Sequence, residues 1–510
     1  MTGTAQRLKI GVVGTGAMGR GIAQVSAEGG AEVRLFDAQV DAAGKAREFI
    51  KSMVDRAVAK GTRTEAQATD IAGRVTIADK IEELAGCDLI VEAIVEKLDA
   101  KQQLFAALDG ICGPDTILAS NTSSLPITAI AAKCTMPERV AGLHFFNPVP
   151  LMKLVEVIPG LKTKADVIDR LVAAARLMTR EPVVCTDSPG FIVNHIGRAY
   201  VPEAGRIVSE GIATHDEIDR IMTATVGMRM GPFQLLDLVG ADVSVAVMES
   251  LYGQFYQEPM YAPQPIMRSR VDGGAFGQKS GGGWYTYKDG KRVDPAPKAA
   301  PTVRPKSVWV WPSPTHADLQ KPLIELFQKS GTPVEAGEKP SDEALVVVTP
   351  VGYDLTTAIT DLKLDGSRTV AVDVMFGLDG IRTLMVTPAI NPVMRDAAHA
   401  LLAADGGGVV VINDSPGFIA QRLVAHIINV GCQIAQRQVA TPVDIDKGAK
   451  LGLAYPFGPL AWGDKICPGR VMFILERLAT FYGEPRYRPS PWLKRRAALG
   501  LSLLTPEGKG

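Results

Sequence analysis

The chain has 510 residues, enough for several domains with ample cores. Its 55 Lys and Arg balance its 55 Asp and Glu, so no net field attracts nucleic acid or an anionic membrane surface. No run of about 20 apolar residues occurs, which argues against a membrane span.

The first residues lead straight into a strand pattern without a signal-peptide core. The six cysteines (87, 112, 134, 185, 432 and 467) are scattered with no C-x-x-C spacing. Reduced thiols in a cytoplasmic protein are therefore expected, with neither disulfides nor a metal centre.

Strand-like runs at residues 8–14, 31–37, 89–93, 116–120, 140–146 and 154–158 alternate with helical stretches, the first of these after Asp37 covering residues 45–60. That alternation predicts an α/β fold, a Rossmann-type doubly wound parallel sheet over residues 1–186. A helical domain follows over 187–292, ending in a Gly-rich turn and Trp284-Tyr285-Thr286-Tyr287. Residues 293–305 are proline-rich with little to bury and read as a linker. Short strands at 308–311, 345–349, 369–374 and 384–386 predict a reduced sheet domain over 306–413, and 414–510 reads as a second all-α domain.

The two halves are copies. Asp187-Ser188-Pro189-Gly190-Phe191-Ile192 recurs 227 positions later as Asp414-Ser415-Pro416-Gly417-Phe418-Ile419. The offset holds at Ala213-Thr214 and Ala440-Thr441, at Ile218-Asp219 and Ile445-Asp446, and at Gly231-Pro232 and Gly458-Pro459. Their beginnings differ. Gly14-Thr15-Gly16-Ala17-Met18-Gly19 follows the first strand and opens a helix, whereas the second half offers Trp311-Pro312-Ser313-Pro314. Prolines lack an N–H and fix φ, so the second turn cannot cradle a pyrophosphate.

In the first loop, Gly14 makes the turn, Gly16 lets phosphate approach and Gly19 allows close packing of helix on strand. Asp37, 21 residues after Gly16, ends the second strand and would accept from a ribose 2′-OH. With no adjacent arginine it would repel a 2′-phosphate, so NAD is the expected cofactor. His144 lies near the C-terminal end of a strand, and Glu156 interrupts the apolar run Leu154-Val155-Glu156-Val157-Ile158. A carboxylate in a buried strand needs a partner, and a His on the next strand would make a general base. On these residues alone, a core His beside an edge-strand Glu is an equal reading. Asn121-Thr122-Ser123-Ser124 suits a helix cap as well as a substrate contact. Asn194 could be an ordinary helix position. In the second copy, Gln421 replaces Asn194 and Asp373 replaces His144.

These motifs resemble the NAD-dependent 3-hydroxyacyl-CoA dehydrogenases. The resemblance runs from residue 8 to about 288 through the glycine loop, Val91–Glu96, Ser120–Ser124, His144–Pro148, Lys153–Val157, Ser188–Asn194 and Gly231–Asp237. The tandem arrangement is similar to long bacterial members that oxidise 3-hydroxybutyryl-CoA or 3-hydroxyadipyl-CoA, the latter in phenylacetate breakdown. The resemblance implies that His144 is the base, that Glu156 orients it, and that Ser123 and Asn194 hold substrate oxygens. It further implies NAD contacts at Glu96, Lys101, Asn147 and Lys279, and CoA contacts at Lys60 and Ser52. His195 departs from the pattern, since many members carry Arg there. Shorter members pair through their helical domains, so the two copies here are expected to pack on one another within the chain, leaving room for further homo-oligomerisation. Two other readings compete. A β-hydroxyacid dehydrogenase would rely on a helical Lys in place of the His–Glu pair, and a non-catalytic NAD-binding protein would have lost His144 or Glu156.

Overall fold

A computed structural model describes residues 7–294 and 299–508. Part of the expected linker, 295–298, lies outside the described residues. The chain forms two compact units. The first comprises residues 1–195, 434–453 and 506–510, and the second comprises 196–433 and 454–505.

The first unit is built on eight strands: β1 (Lys9–Val13), β2 (Glu32–Phe36), β3 (Val75–Ile77), β4 (Leu89–Glu92), β5 (Ile117–Ser120), β6 (Val140–Phe145), β7 (Leu154–Pro159) and β8 (Glu181–Val184). Their order is β3-β2-β1-β4-β5-β6-β7-β8. Every residue of β4, β5 and β6 is buried, as continuous apolar strands covered on both faces should be. One pair departs from the expected parallel sheet. β7 runs antiparallel to β6, because residues 146–153 form a loop too short for a crossover helix. That reversal sets His144 directly opposite Glu156.

The second unit contains the hairpin β9 (Thr286–Lys288) and β10 (Lys291–Val293), then β11 (Val308–Val310), β12 (Val334–Glu335), β13 (Leu345–Val348), β14 (Thr369–Val372), β15 (Arg382–Val386) and β16 (Val409–Asn413). Its six-stranded sheet has the order β12-β11-β13-β14-β15-β16, and β14 and β15 form the single antiparallel pair, as β6 and β7 do in the first sheet. Asp187 accepts the N–H groups of Ile127 and Thr128, and Asp414 accepts those of Leu355 and Thr356. These matching caps make β13 the counterpart of β5. The β4 segment, with Glu92, Glu96 and Lys101, has no counterpart in the second sheet. Where the first copy has its glycine loop, Gln320 closes the turn after β11: it accepts from Ser313 N and donates to the Trp311 carbonyl and the Thr349 hydroxyl.

The helical copies contact one another, as expected from the duplication. Within the second unit, Glu203 on the helix Val201–Ser209 meets Arg422 on the helix Ala420–Gln436 at 2.6 Å, both fully buried. The main chain repeats the theme reciprocally. Thr186 N donates to Val439 O at 2.8 Å, and Asn413 N donates to Ile212 O at 2.9 Å. Both partners of the first bond sit 227 positions from their equivalents in the second, the pattern of a two-fold interface. Arg422 itself stands at the position equivalent to His195, so the arginine missing from the first copy is kept in the second.

One drift between copies carries a stability cost. Gly240 caps its helix at φ 99°, ψ 124°, and its counterpart Cys467 holds φ 90°, ψ 118°. A side chain in that region costs on the order of 1–3 kcal/mol. Cys467→Gly is therefore expected to raise unfolding stability by about 1 kcal/mol with kcat unchanged, read from a denaturant titration. An unchanged midpoint would show that local relaxation removes the strain.

Candidate active site

The parallel strands β1, β2, β4, β5 and β6 deliver their C-terminal ends to one edge of the sheet, where ligands bind in open α/β folds. At the end of β1, Gly14 takes φ +88°, and a side chain there would strike the Ala93 carbonyl. Gly19 lies against the Gly14 carbonyl, so that helix and strand touch. Gly16 is the helix N-cap, and no heavy atom lies within 4 Å of where its Cβ would stand. Open backbone N–H groups at a helix start fit a pyrophosphate. Asp37 accepts from Thr15 N at 2.7 Å, Thr15 Oγ1 at 2.9 Å and Gln39 N at 2.9 Å. Burial works to raise its carboxyl, yet these donors outweigh it and hold Asp37 below the usual carboxylate range. It stays anionic beside the loop, as an acceptor for ribose hydroxyls should.

Asp37→Ala is accordingly expected to narrow the NAD over NADP preference in kcat/KM by about tenfold or more, given roughly 1.5–3 kcal/mol for a hydrogen bond to a charged group. An equal kcat/KM for the two cofactors in the unmodified enzyme would sink this assignment.

At the end of β6, His144 Nδ1 lies 2.7 Å from Glu156 Oε2. The pairing leaves Nε2 as the nitrogen with a free lone pair. Glu156 is fully buried, and its Oε1 accepts the N–H groups of Ile192 and Val193 at 2.9 Å each. The carboxylate is therefore held from both sides. The His144 ring sits 4.4 Å from that of Phe146 and 5.9 Å from that of Phe191, centroid to centroid. Asn194, on the short helix Val193–Gly197, donates its amide to the Ser123 carbonyl at 3.3 Å. Ser123, His144, Glu156 and Asn194 thus converge within one unit, as the sequence led us to expect.

Glu96 shapes the serine loop. Its Oε1 accepts from Thr122 Oγ1 at 2.6 Å, from the N–H groups of Ser123 and Ser124, and from Ser124 Oγ. Burial pushes its carboxyl up, but Lys101 and the Thr122 and Ser123 donors outweigh that and keep it below the usual range. Lys101 is 1% exposed, with its Nζ 2.6 Å from Glu92 and 3.2 Å from Glu96. It stands behind the loop as the counter-ion of two carboxylates. Glu92, which also accepts from Ser120 Oγ, escaped sequence reading although it gives the same signal as Glu156, a carboxylate inside an apolar strand. Asn121 escaped as well; its Oδ1 accepts Phe145 N at 2.8 Å and ties β5 to the His144 strand.

The remaining expected contacts are placed more loosely. Asn147 is exposed just beyond β6. Ser52 and Lys60 belong to the helix Ala42–Ala59 and its C-cap, with Lys60 exposed and Ser52 bonded to the Phe49 carbonyl. Lys279 lies in the second unit, paired with Asp242 at 2.6 Å.

The second copy has a filled counterpart of this site. Register across β14 and β15 sets Asp373 opposite Thr383, where the first copy has His144 opposite Glu156. Counting back from the helix caps, Val351 takes the place of Ser123. Gln421 donates to Asp373 Oδ1 at 2.9 Å and accepts from Gly352 N, so side chains occupy the space themselves. Burial raises the Asp373 carboxyl to about 6. No base–carboxylate pair survives there.

The glycine cradle, the anionic Asp37 and the buffered His–Glu dyad define a nicotinamide-dependent alcohol dehydrogenase. Profiles of the 3-hydroxyacyl-CoA dehydrogenase NAD-binding domain and C-terminal domain match residues 9–188 and residues 190–287 and 417–508, respectively, and the chain belongs to that family. It is an NAD-dependent oxidoreductase acting on 3-hydroxyacyl-CoA. The chain is 37% identical over 492 residues to the 3-hydroxyadipyl-CoA dehydrogenase of Escherichia coli K12, spanning 96% of this chain and 97% of that one. A crystal structure of 3-hydroxybutyryl-CoA dehydrogenase from E. coli K12 matches with a TM-score of 0.83 at 36% identity, covering 97% of this chain and 99% of that chain. A shorter relative, a probable 3-hydroxybutyryl-CoA dehydrogenase of Bacillus subtilis, is 42% identical over 281 residues, 55% of this chain and 98% of its own. Among the described residues no helix is long and apolar enough to cross a membrane, and no cluster of His, Cys, Asp and Glu could hold a metal ion.

Proposed function

We propose that the chain oxidises short (S)-3-hydroxyacyl-CoA thioesters, with 3-hydroxybutyryl-CoA or 3-hydroxyadipyl-CoA as substrate, and that His144 is the base. The observation that carries this reading is the buried line from the Ile192 and Val193 amides through Glu156 to His144. NAD bound at the glycine loop supplies the hydride acceptor. His144 Nε2 takes the proton of the 3-hydroxyl while Glu156, fixed by two amides, supports the charge that develops on the imidazole. Ser123 and Asn194 hold the substrate oxygens so that C3 presents its hydrogen in one direction. Glu96, Asn147 and Lys279 complete the cofactor site in this reading, and Lys101 serves it through Glu96. Lys60 and Ser52 meet the CoA moiety. We assign the enzyme to the cytoplasm with its thiols reduced, and divide it at 1–186, 187–292, 306–413 and 414–510 about a linker at 293–305.

The choice of acyl group follows the relatives, whose names include both a four-carbon monoacyl and a six-carbon dicarboxylyl thioester. Steady-state kinetics with 3-hydroxybutyryl-, 3-hydroxyhexanoyl- and 3-hydroxyadipyl-CoA decides it. A kcat/KM for 3-hydroxyhexanoyl-CoA above both others would overturn the proposed substrate range, and no NADH from any of the three would overturn the reaction.

A further inference from the structure

The second copy has lost its glycine loop, its base and its Glu156 equivalent, yet one of its helices belongs to the same compact unit as the catalytic dyad. We propose that this helix, Pro442–Gly452, is a positioning element that fixes Glu156, and through it His144; the proposal rests on the dyad reading given above.

The strand β8 leaves the sheet and meets the second copy at once. Cys185 bridges Ala440 in antiparallel fashion, and Thr186 N donates to Val439 O at 2.8 Å. Lys447 on the helix lies 3.8 Å from Glu181 at the start of β8. The helix then runs behind the turn that supplies both amides to Glu156. A Cβ on Gly448 would stand 2.7 Å from Ile192 Cγ2. One on Gly452 would stand 2.7 Å from Val193 Cγ2 and 3.0 Å from Leu154 Cδ2, two residues before Glu156 on β7. Ile192 and Val193 are the two residues whose N–H groups hold Glu156 Oε1, and Asn194 follows them directly.

Glycine is a poor helix former, so Gly448 inside this helix needs a reason, and the close approach supplies one. The first copy shows the contrast. Ile221 and Thr225 stand 227 positions before Gly448 and Gly452, on the helix that serves the filled site. The small residues thus occur on the helix that backs the working dyad. A side chain at Gly448 must push Ile192, and with it an amide that the buried carboxylate has no water to replace.

The test uses the full-length enzyme. Gly448→Ala is expected to lower kcat by about ten- to a hundredfold, the scale on which small misplacements of reacting groups act. The dissociation constant for NADH should stay within about twofold, because the glycine loop and Asp37 hang from other strands; KM for the acyl-CoA should change little. Removing the obstructing methyl with Ile192→Ala in the Gly448→Ala background should restore most of kcat, a non-additivity that a general loss of stability would not give. If Gly448→Ala does not fold, Gly452→Ala with and without Val193→Ala reads the same effect. Wild-type kcat in the single glycine variants would overturn the proposal, as would loss of NADH affinity in step with kcat, or no recovery in the double variants. His144→Gln run alongside separates the two ideas. If that variant keeps its turnover, the dyad reading itself fails; if it is inactive while Gly448→Ala runs at full rate, the positioning role alone fails.

Discussion

Replacing His144 with Gln should lower kcat by about 10²–10⁴-fold, the usual worth of a positioned general base. Glutamine keeps a polar side chain that can still donate towards Glu156, so the buried carboxylate retains its two amide donors and one more partner. What it lacks is a nitrogen able to accept a proton from the 3-hydroxyl near neutral pH. The loss should therefore fall on kcat and kcat/KM together, the signature of an interaction made in the transition state. NADH affinity, measured by titration of the cofactor's fluorescence, should hardly move, since the glycine loop and Asp37 sit at the ends of β1 and β2 while His144 ends β6. Turnover near that of the unmodified enzyme would remove His144 from the chemistry. Glu156→Gln is expected to follow with a smaller loss: the imidazole remains, but the support for its positive charge does not.

Much of this site was legible because its chemistry leaves local marks. A glycine loop between strand and helix, and an acid at the end of the next strand, are readable by spacing alone. The His144–Glu156 pair was legible as one polar break in an apolar strand and one histidine on its neighbour. The duplication made that reading sharper by showing what the second copy had discarded. Other features depend on contacts that spacing does not encode. β3, β8, β12 and β16 went unread because such short or edge segments carry few apolar residues; β3 buries only Val75, and β8 buries only Val183. The antiparallel turn at β7 is set by loop length rather than by residue pattern. Lys101 looks like any surface lysine on a helix, and only the folded chain shows it between Glu92 and Glu96. Hardest of all was the placement of residues 434–453 with the first sheet, since their apolar faces fit many partners and the glycines that select one gain meaning only once Ile192 and Val193 face them.

Glu203→Gln should destabilise the folded chain by about 3–5 kcal/mol, the cost of stripping the counter-charge from buried cations. Glu203 is fully buried and binds three partners from the second copy: Arg422 Nε at 2.6 Å, Arg486 Nη1 at 3.1 Å and the Tyr487 hydroxyl at 2.6 Å. Arg422, itself fully buried, continues to Glu210 and the Tyr482 hydroxyl, and Arg206 bonds Glu484. Two arginines thus converge on a single carboxylate where the helical copies meet. Neutralising it leaves both guanidinium groups in a dry interior, with Glu210 and Tyr482 serving only Arg422. The same substitution should change the acid response. Burial alone would raise the Glu203 carboxyl, but Arg422 and Arg486 outweigh it and hold the group far below its ordinary value of 4.5. A carboxyl depressed in the folded state contributes stability that is complete above the unfolded value and is lost as pH falls below it. The gap between unmodified enzyme and variant should therefore be constant from pH 8 down to about 5 and should close as the solution is acidified further. Urea titrations across that range measure it. A double variant, Glu203→Leu with Arg422→Leu, should recover only part of the loss, because Arg486 remains buried without its partner. If Glu203→Gln unfolds within about 1 kcal/mol of the unmodified chain, then the two copies are joined by their apolar faces and not by this cluster, whose retention would need another reason.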